Sequence, residues 1–350
     1  MVGKSDNLET QPRSGQGRTS KRFWSELPKP FFVLAPMANV TDSAFRKIIA
    51  KYGKPDVTWT EFVSADGLIS PGRKKLLHDL VFSRSERPVV AQLFTGHPQA
   101  MRQAAELVKE LKFDGLDINM GCPDRAVEKQ GGGAAMIKSP QLAKEVILAA
   151  RAGVGPKIPV SVKTRIGYNK IDLGWIEFLL KQNLPALTVH LRTRKEMSEV
   201  PAHWELMPEI VRLRDRIQAD IPPQDRTLLI GNGDVTTLSQ GRELARQTGC
   251  DGIMIGRGIF GKPWFFADGS DKTPAERLRI LLEHTRLFQK TFCAEGDKKS
   301  RGIKSFDVMK KHFKAYVSGW DGAKELRIKL FEAEKANDIK KIVANYLTLE

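Results

Sequence analysis

Short apolar runs recur along this chain, separated by longer segments in which apolar and polar positions follow a helical period. The runs are Phe31 to Leu34, Val57 to Glu61, Val89 to Leu93, Gly115 to Asn119, Val160 to Thr164, Ala186 to His190, Thr227 to Gly231 and Gly252 to Ile255. Near-continuous apolar runs of this length suit strands buried on both faces. Between them the period predicts helices over Thr41 to Tyr52 with Thr41 as the cap, Pro98 to Leu111, Pro140 to Arg151, Gly174 to Gln182, Trp204 to Ile217 and Leu238 to Thr248. Strands that alternate with helices pair in parallel. Eight of them predict a (β/α)8 barrel, a TIM barrel. The alternative, a doubly wound open sheet, calls for a G-x-G-x-x-G turn after its first strand, and none follows Leu34.

Past Pro263 and Trp264 the pattern changes. Residues 267 to 274, A-D-G-S-D-K-T-P, read as a linker. Helical periods then run over Ala275 to Phe292, Phe306 to Val317, Gly322 to Ala336 and Ile339 to Tyr346, which predicts a small helical domain. The expected organisation is a disordered basic tail over 1–28, a barrel over 29–266 and a helical domain over 275–350.

Composition adds three constraints. The three cysteines, Cys122, Cys250 and Cys293, have no C-x-x-C spacing, so neither a disulfide framework nor a metal site is supported, and a reducing compartment is the natural setting. No apolar run approaches a membrane span and no secretory signal is evident, so the expected location is the cytoplasm. A formal net charge of +16 points to a polyanionic partner, with the last eighty residues carrying eighteen Lys and Arg against twelve acids. Nothing in the sequence sets the oligomeric state, and a monomer is the default.

In a barrel, functional groups gather where the strands end. Those positions hold Pro36 and Met37, Glu61, Gln92, Asn119 and Cys122, Lys163 and Arg165, His190, Asn232 and Gly233, and Gly256 and Arg257. An inert scaffold has no need of this series. The turns G-N-G-D (231–234) and G-R-G (256–258) fall where barrels commonly hold phosphate, and Arg257 adds a cation. Cys122, fixed between Gly121 and Pro123 and followed by Gly131 to Gly133, is the candidate reactive thiol; a small buried cysteine at a tight turn is the bland alternative.

The motifs L-A-P-M-A-N-V-T-D-S-A-F-R (34–46), Q-L-F-T-G (92–96), D-I-N-M-G-C-P (117–123), V-K-T-R-I-G (162–167), V-H-L-R-T-R (189–194), G-N-G-D-V (231–235) and I-G-R-G (255–258) resemble those of the tRNA-dihydrouridine synthases over about residues 31 to 345. The resemblance implies an FMN-bearing barrel that reduces uridine in tRNA to 5,6-dihydrouridine, with NADPH as electron source. It also implies that Pro36, Met37, Gln92, Lys163, His190, Asn232, Gly233, Gly256 and Arg257 contact FMN and that Cys122 is the catalytic acid. Asn119 and Arg165 match positions near the flavin and the target uracil. The helical domain looks like the family's tRNA-binding domain, with Lys310, Lys311 and Arg327 as RNA contacts among the cations Lys304, His312, Lys314 and Lys329. Asn39 and Leu191 stand where the family pattern has glycine and add bulk beside the expected flavin pocket, while Thr95 lengthens Q-L-x-G.

A thiol of ordinary pKa, near 8.5, is mostly protonated at pH 7 and can give a proton to the uracil carbon left electron-rich by hydride addition. Two rivals remain open at this point. A flavin enzyme acting on a free pyrimidine or enone would share the barrel but not need the basic domain, and a non-catalytic RNA-binding barrel would not need Asn119, Cys122, Lys163 and His190 together.

Overall fold

The computed structural model describes residues 22–267, 271–293 and 303–347. Eight parallel strands form one sheet: β1 Phe31–Leu34, β2 Thr58–Ser64, β3 Val89–Phe94, β4 Gly115–Met120, β5 Val160–Arg165, β6 Ala186–His190, β7 Leu228–Asn232 and β8 Gly252–Ile255. β1 pairs with β8, and a bridge between Val33 and Val57 brings the last edge round to β2, so the sheet curls into the expected (β/α)8 barrel. The predicted strand starts and ends fall within a few residues of the observed ones.

The outer helices are α1 Ser43–Tyr52, α2 Pro98–Glu110, α3 Pro140–Val154, α4 Leu173–Leu180, α5 Met207–Ile217 and α6 Leu238–Thr248, with only a single turn, Ala65–Leu68, after β2. The cap of α1 is Asp42, not Thr41. Asp42 Oδ1 accepts from the Ala44 and Phe45 N–H groups, both at 3.0 Å, while Thr41 Oγ1 accepts from the Met37 N–H at 2.9 Å and so braces the β1 loop.

Two apolar layers result from the strand pleat. Residues pointing outward pack against the helices, and those pointing inward near the strand starts fill the barrel floor with Phe31, Val33, Val57, Trp59, Val90, Leu228, Ile230 and Met254. Trp24 completes this floor. Residues 22–28, expected to be part of a disordered tail, include a 3-10 turn over Arg22–Glu26 that turns Trp24 in against Trp59 and Phe31, with ring centroids 5.8 and 6.0 Å away. Burying one indole supplies what the surrounding polar sequence could not. The rest of the expected tail, 1–21, lies outside the described residues.

After β8 the chain enters four helices, α7 Pro274–Phe292, α8 Met309–Tyr316, α9 Ala323–Phe331 and α10 Ala336–Leu347. Of the expected linker, residues 268–270 lie outside the described residues, and α7 starts at a Thr273–Glu276 capping box. α7 docks on α1: Lys51 and Tyr52 both bind Glu283, and Phe45 stacks on His284. No helix among the described residues is long and apolar enough to cross a membrane.

Candidate active site

The strand ends bring most of the expected residues to one mouth, and the hydrogen bonds there form a connected set. On β4, Asn119 is buried, and its Oδ1 accepts from the N–H groups of Gly121 (3.1 Å) and Cys122 (2.9 Å). Its Nδ2 donates to Gln92 Oε1 at 3.2 Å. Cys122 is thus held at the top of β4 with its thiol half-buried, and burial pushes the thiol's pKa up, so the group is an S–H at neutral pH.

Of the three glycines after it, Gly133 has a definite task. Gly133 has φ +59, and a Cβ there would lie 2.6 Å from the Cys122 carbonyl oxygen, which in turn accepts the Ala134 N–H at 2.9 Å. Gly133 presses on the cysteine loop, and only a residue without a side chain fits there.

Lys163 and Arg165 leave β5 on the same side. Burial and the neighbouring Arg165 hold Lys163 down to about 8, and among the described residues it makes no ion pair or hydrogen bond. Arg165 is engaged with backbone. Its Nε and Nη1 donate to the carbonyls of Gly121, Thr193 and Met197, each at 2.9 Å, so it is a strut between the cysteine loop and the loop after β6.

His190, at the end of β6, sits 3.2 Å from Arg192 Nη1 through its Nε2. A guanidinium cannot accept, so Nε2 is the acceptor and the ring proton sits on Nδ1. Burial, then Lys163 and the arginines, push its pKa well below 6.5, and the ring stays neutral. Arg192 also pairs with Asp234, whose Oδ1 binds Arg257 at 2.8 Å. Asn232 donates to the Met254 carbonyl at 2.8 Å, and Gly233 has φ +138 in a space where a Cβ would meet Ala202 at 2.6 Å. A Cβ on Gly256 would lie 3.8 Å from Met37 Sδ on the neighbouring loop after β1, where Pro36 precedes Met37, and Arg257 is exposed. Sequence reasoning gave no role to Asp117, Arg192 or Asp234, although all three lie inside the quoted motifs.

The structure accommodates all three departures from the family pattern. Asn39 takes φ 55, a conformation asparagine tolerates, and keeps its side chain exposed while its N–H donates to Glu61. Leu191 is fully buried in the outer layer between strands and helices, so the bulk expected beside the pocket lies behind it. Thr95 is buried and donates to Asp66 at 2.6 Å.

The cations of the helices after β8 and of the segments joining them differ in their partners. Lys304 reaches the barrel and binds Glu61 at 2.5 Å and Asp79 at 3.1 Å; a bulge between Trp59 and Phe62 aims Glu61 toward it. His312 is fully buried, and burial lowers the pKa of half-buried Lys311, whose charge is felt by Glu61 and Asp42. These three therefore belong to the domain contact. Lys310 pairs with Asp307 at 2.6 Å, and Arg327 donates to the Val317 carbonyl at 2.7 Å. Lys314, Lys324 and Lys329 are exposed.

Fold and mouth together define a parallel α/β-barrel enzyme whose polar groups converge at the C-terminal strand ends. The dihydrouridine synthase family model matches residues 33–348, and the chain belongs to that family. It is 41% identical over 331 residues to the Bacillus subtilis (strain 168) protein named "Probable tRNA-dihydrouridine synthase 2", covering 93% of this chain and 97% of that one. It is also 41% identical over 330 residues to the Staphylococcus aureus (strain COL) protein named "Probable tRNA-dihydrouridine synthase", covering 93% and 96%. Among solved structures, a histamine dehydrogenase from Rhizobium sp. 4-9 superposes with a TM-score of 0.50 at 14% identity, over 73% of this chain and 48% of that one, a likeness of fold alone.

Proposed function

We propose that the protein reduces uridines in tRNA to 5,6-dihydrouridine, using FMN in the barrel mouth and NADPH as electron source. The observation that carries this reading is a half-buried thiol, its pKa raised by burial, at the strand-end mouth beside a half-buried lysine with no salt bridge among the described residues, in a chain of the dihydrouridine synthase family. The mouth fits a flavin mononucleotide on its own chemistry. Lys163 is a half-buried cation with no salt bridge among the described residues, which favours an anionic ligand. Gly233 and Gly256 bring backbone close to the mouth, and Arg257, paired with exposed Asp234, can exchange that carboxylate for a phosphate.

When bound, the flavin supplies the hydride. Pro36, Met37, Gln92, Lys163, His190, Asn232, Gly233, Gly256 and Arg257 would hold it. Lys163 would stabilise negative charge on the reduced ring, and His190 would offer its Nδ1–H as a donor. Asn119 fixes the cysteine loop, and Cys122 donates its Sγ proton to the uracil carbon opposite the one that receives hydride. A base paired or stacked in tRNA must leave its stack to enter such a mouth. Lys314, Lys324 and Lys329, rather than the buried cations of the domain contact, are the helical domain's best candidates for phosphate contacts.

The test is to purify the protein, record its visible spectrum, and assay unmodified tRNA and free uridine with NADPH. A flavin spectrum with turnover of tRNA is the expected result. Turnover of free uridine alone, or tRNA binding by a colourless protein without product, would sink the reading.

A further inference from the structure

Asp117 lies two residues before Asn119 on β4, so the two side chains point into the barrel one above the other. Its carboxyl is fully buried. Oδ1 accepts from Ser161 Oγ at 2.5 Å, and Oδ2 accepts from Gln92 Nε2 at 2.7 Å. Gln92 then passes the connection on through Oε1, which accepts from Asn119 Nδ2, and Asn119 Oδ1 ends it on the N–H groups of Gly121 and Cys122.

This chain of bonds has a direction. The backbone N–H groups can only donate, so Asn119 cannot turn its amide without setting two donors against its own. With Nδ2 of Asn119 fixed as a donor, Gln92 must offer it Oε1, and must therefore send Nε2 toward Asp117. An acceptor at position 117 completes the only arrangement in which no donor along this chain of bonds faces another donor.

We infer that Asp117, seconded by Ser161, is a positioning residue for the reaction: it fixes the amide of Gln92 and, through Asn119, the backbone that carries the Cys122 thiol. The inference rests on the flavin-dependent reading of the mouth. What the site requires at Asp117 is an acceptor facing Gln92, not a negative charge. Burial pushes the carboxyl up to about 6 against the pull of its hydrogen bonds and of Lys163 on β5, so the group exchanges its proton near neutrality. The Ser161 hydroxyl accepts as readily as it donates, so a protonated Asp117 can give its proton to Ser161 and still receive Gln92.

Two near-isosteric variants separate these roles. In Asp117→Asn the carboxamide oxygen faces Gln92 and its NH2 faces Ser161 Oγ, and the flavin dissociation constant and kcat with tRNA stay within about twofold of wild type. In Asp117→Leu the Gln92 Nε2 loses its acceptor. Flavin then binds about tenfold more weakly or worse and kcat falls comparably, while KM for tRNA, set mainly by contacts elsewhere, holds. Combining Ser161→Ala with Asp117→Asn strands the new NH2 and reproduces the loss; this polar double variant decides the matter if the leucine variant does not fold. Wild-type flavin affinity in Asp117→Leu or in the double variant, or equal damage from Asn and Leu, would overturn the inference. A wild-type protein that binds no flavin would instead remove the reading beneath it.

Discussion

The same eight strands end in two very different ways. At the floor, Trp24, Phe31, Val33, Trp59, Leu228, Ile230 and Met254 close the barrel with apolar surface, and an inward residue there contributes by leaving water. At the mouth, Gln92, Asp117 and Asn119 are equally buried but polar, and Lys163 stands among them. On β2 the change takes two residues, from Trp59 in the floor to Glu61 in the mouth, within the bulge between Trp59 and Phe62. Burial that stabilises at the floor costs free energy at the mouth, and the cost appears as displaced proton affinities: Lys163 down, Cys122, Asp117 and Glu61 up. Floor residues hold the fold, and mouth residues spend part of that stability on chemistry.

The sharpest way to break this comparison is to change one residue at each end. Cys122→Ala should lower dihydrouridine formation by about 10²- to 10⁴-fold, the usual worth of a positioned acid, while leaving flavin colour and thermal midpoint unchanged. Trp24→Ala should do the reverse, costing about 3–5 kcal/mol of stability by urea unfolding while the folded protein, assayed in the cold, keeps its kcat. Normal turnover in Cys122→Ala would take the thiol out of the mechanism. A collapse of kcat in cold, folded Trp24→Ala would show that floor and mouth are not separable.

The floor and the mouth were not equally legible. Strands buried on both faces have near-continuous apolar runs, so all eight could be read from sequence, and with them the polar series at their ends. Trp24 could not, because one aromatic in a polar segment has no period to announce it. Asp117 escaped for the opposite reason: an acid inside an apolar strand looks like an interruption until Ser161 and Gln92 are seen on either side of it. Lys304 and His312 sit in segments that read as a basic surface, and a helical period cannot tell a solvent face from a face docked on another domain.

That docked face gives a smaller, graded prediction. His284 on α7 and His312 on α8 are fully buried with ring centroids 4.7 Å apart, against Phe45 of α1. Neither nitrogen of His312 has a partner among the described residues, and His284 Nδ1 lies 3.5 Å from the Tyr316 hydroxyl. Burial lowers both pKa values, His312 to about 3, with the Lys311 charge adding to the effect. The unfolded chain therefore takes up protons below about pH 6.5 that the folded chain refuses, so stability is full above that pH and lost as pH falls, by up to about 1.4 kcal/mol per pH unit for each histidine. Urea midpoints measured from pH 7 to pH 5 should fall, and His312→Leu should remove about half of that histidine-linked slope. An unchanged slope in the variant would assign the acid sensitivity elsewhere.

The smallest effect separates the two groups of cations in the helical domain. Lys329 is exposed, whereas Lys311 is half-buried toward Glu61 and Asp42 and Lys304 is committed to Glu61 and Asp79. If phosphates meet the exposed group, Lys329→Ala should reduce the slope of log affinity for tRNA against log salt by about 0.7 to 0.9, the loss of one phosphate contact, and Lys311→Ala should leave it unchanged. The measurement is a salt series for each variant with flavin content held equal. An equal loss of slope from both would mean that RNA meets the face now turned toward the barrel; the Lys304–Glu61 contact would then have to open on binding, exposing a carboxylate that burial already biases toward its neutral form.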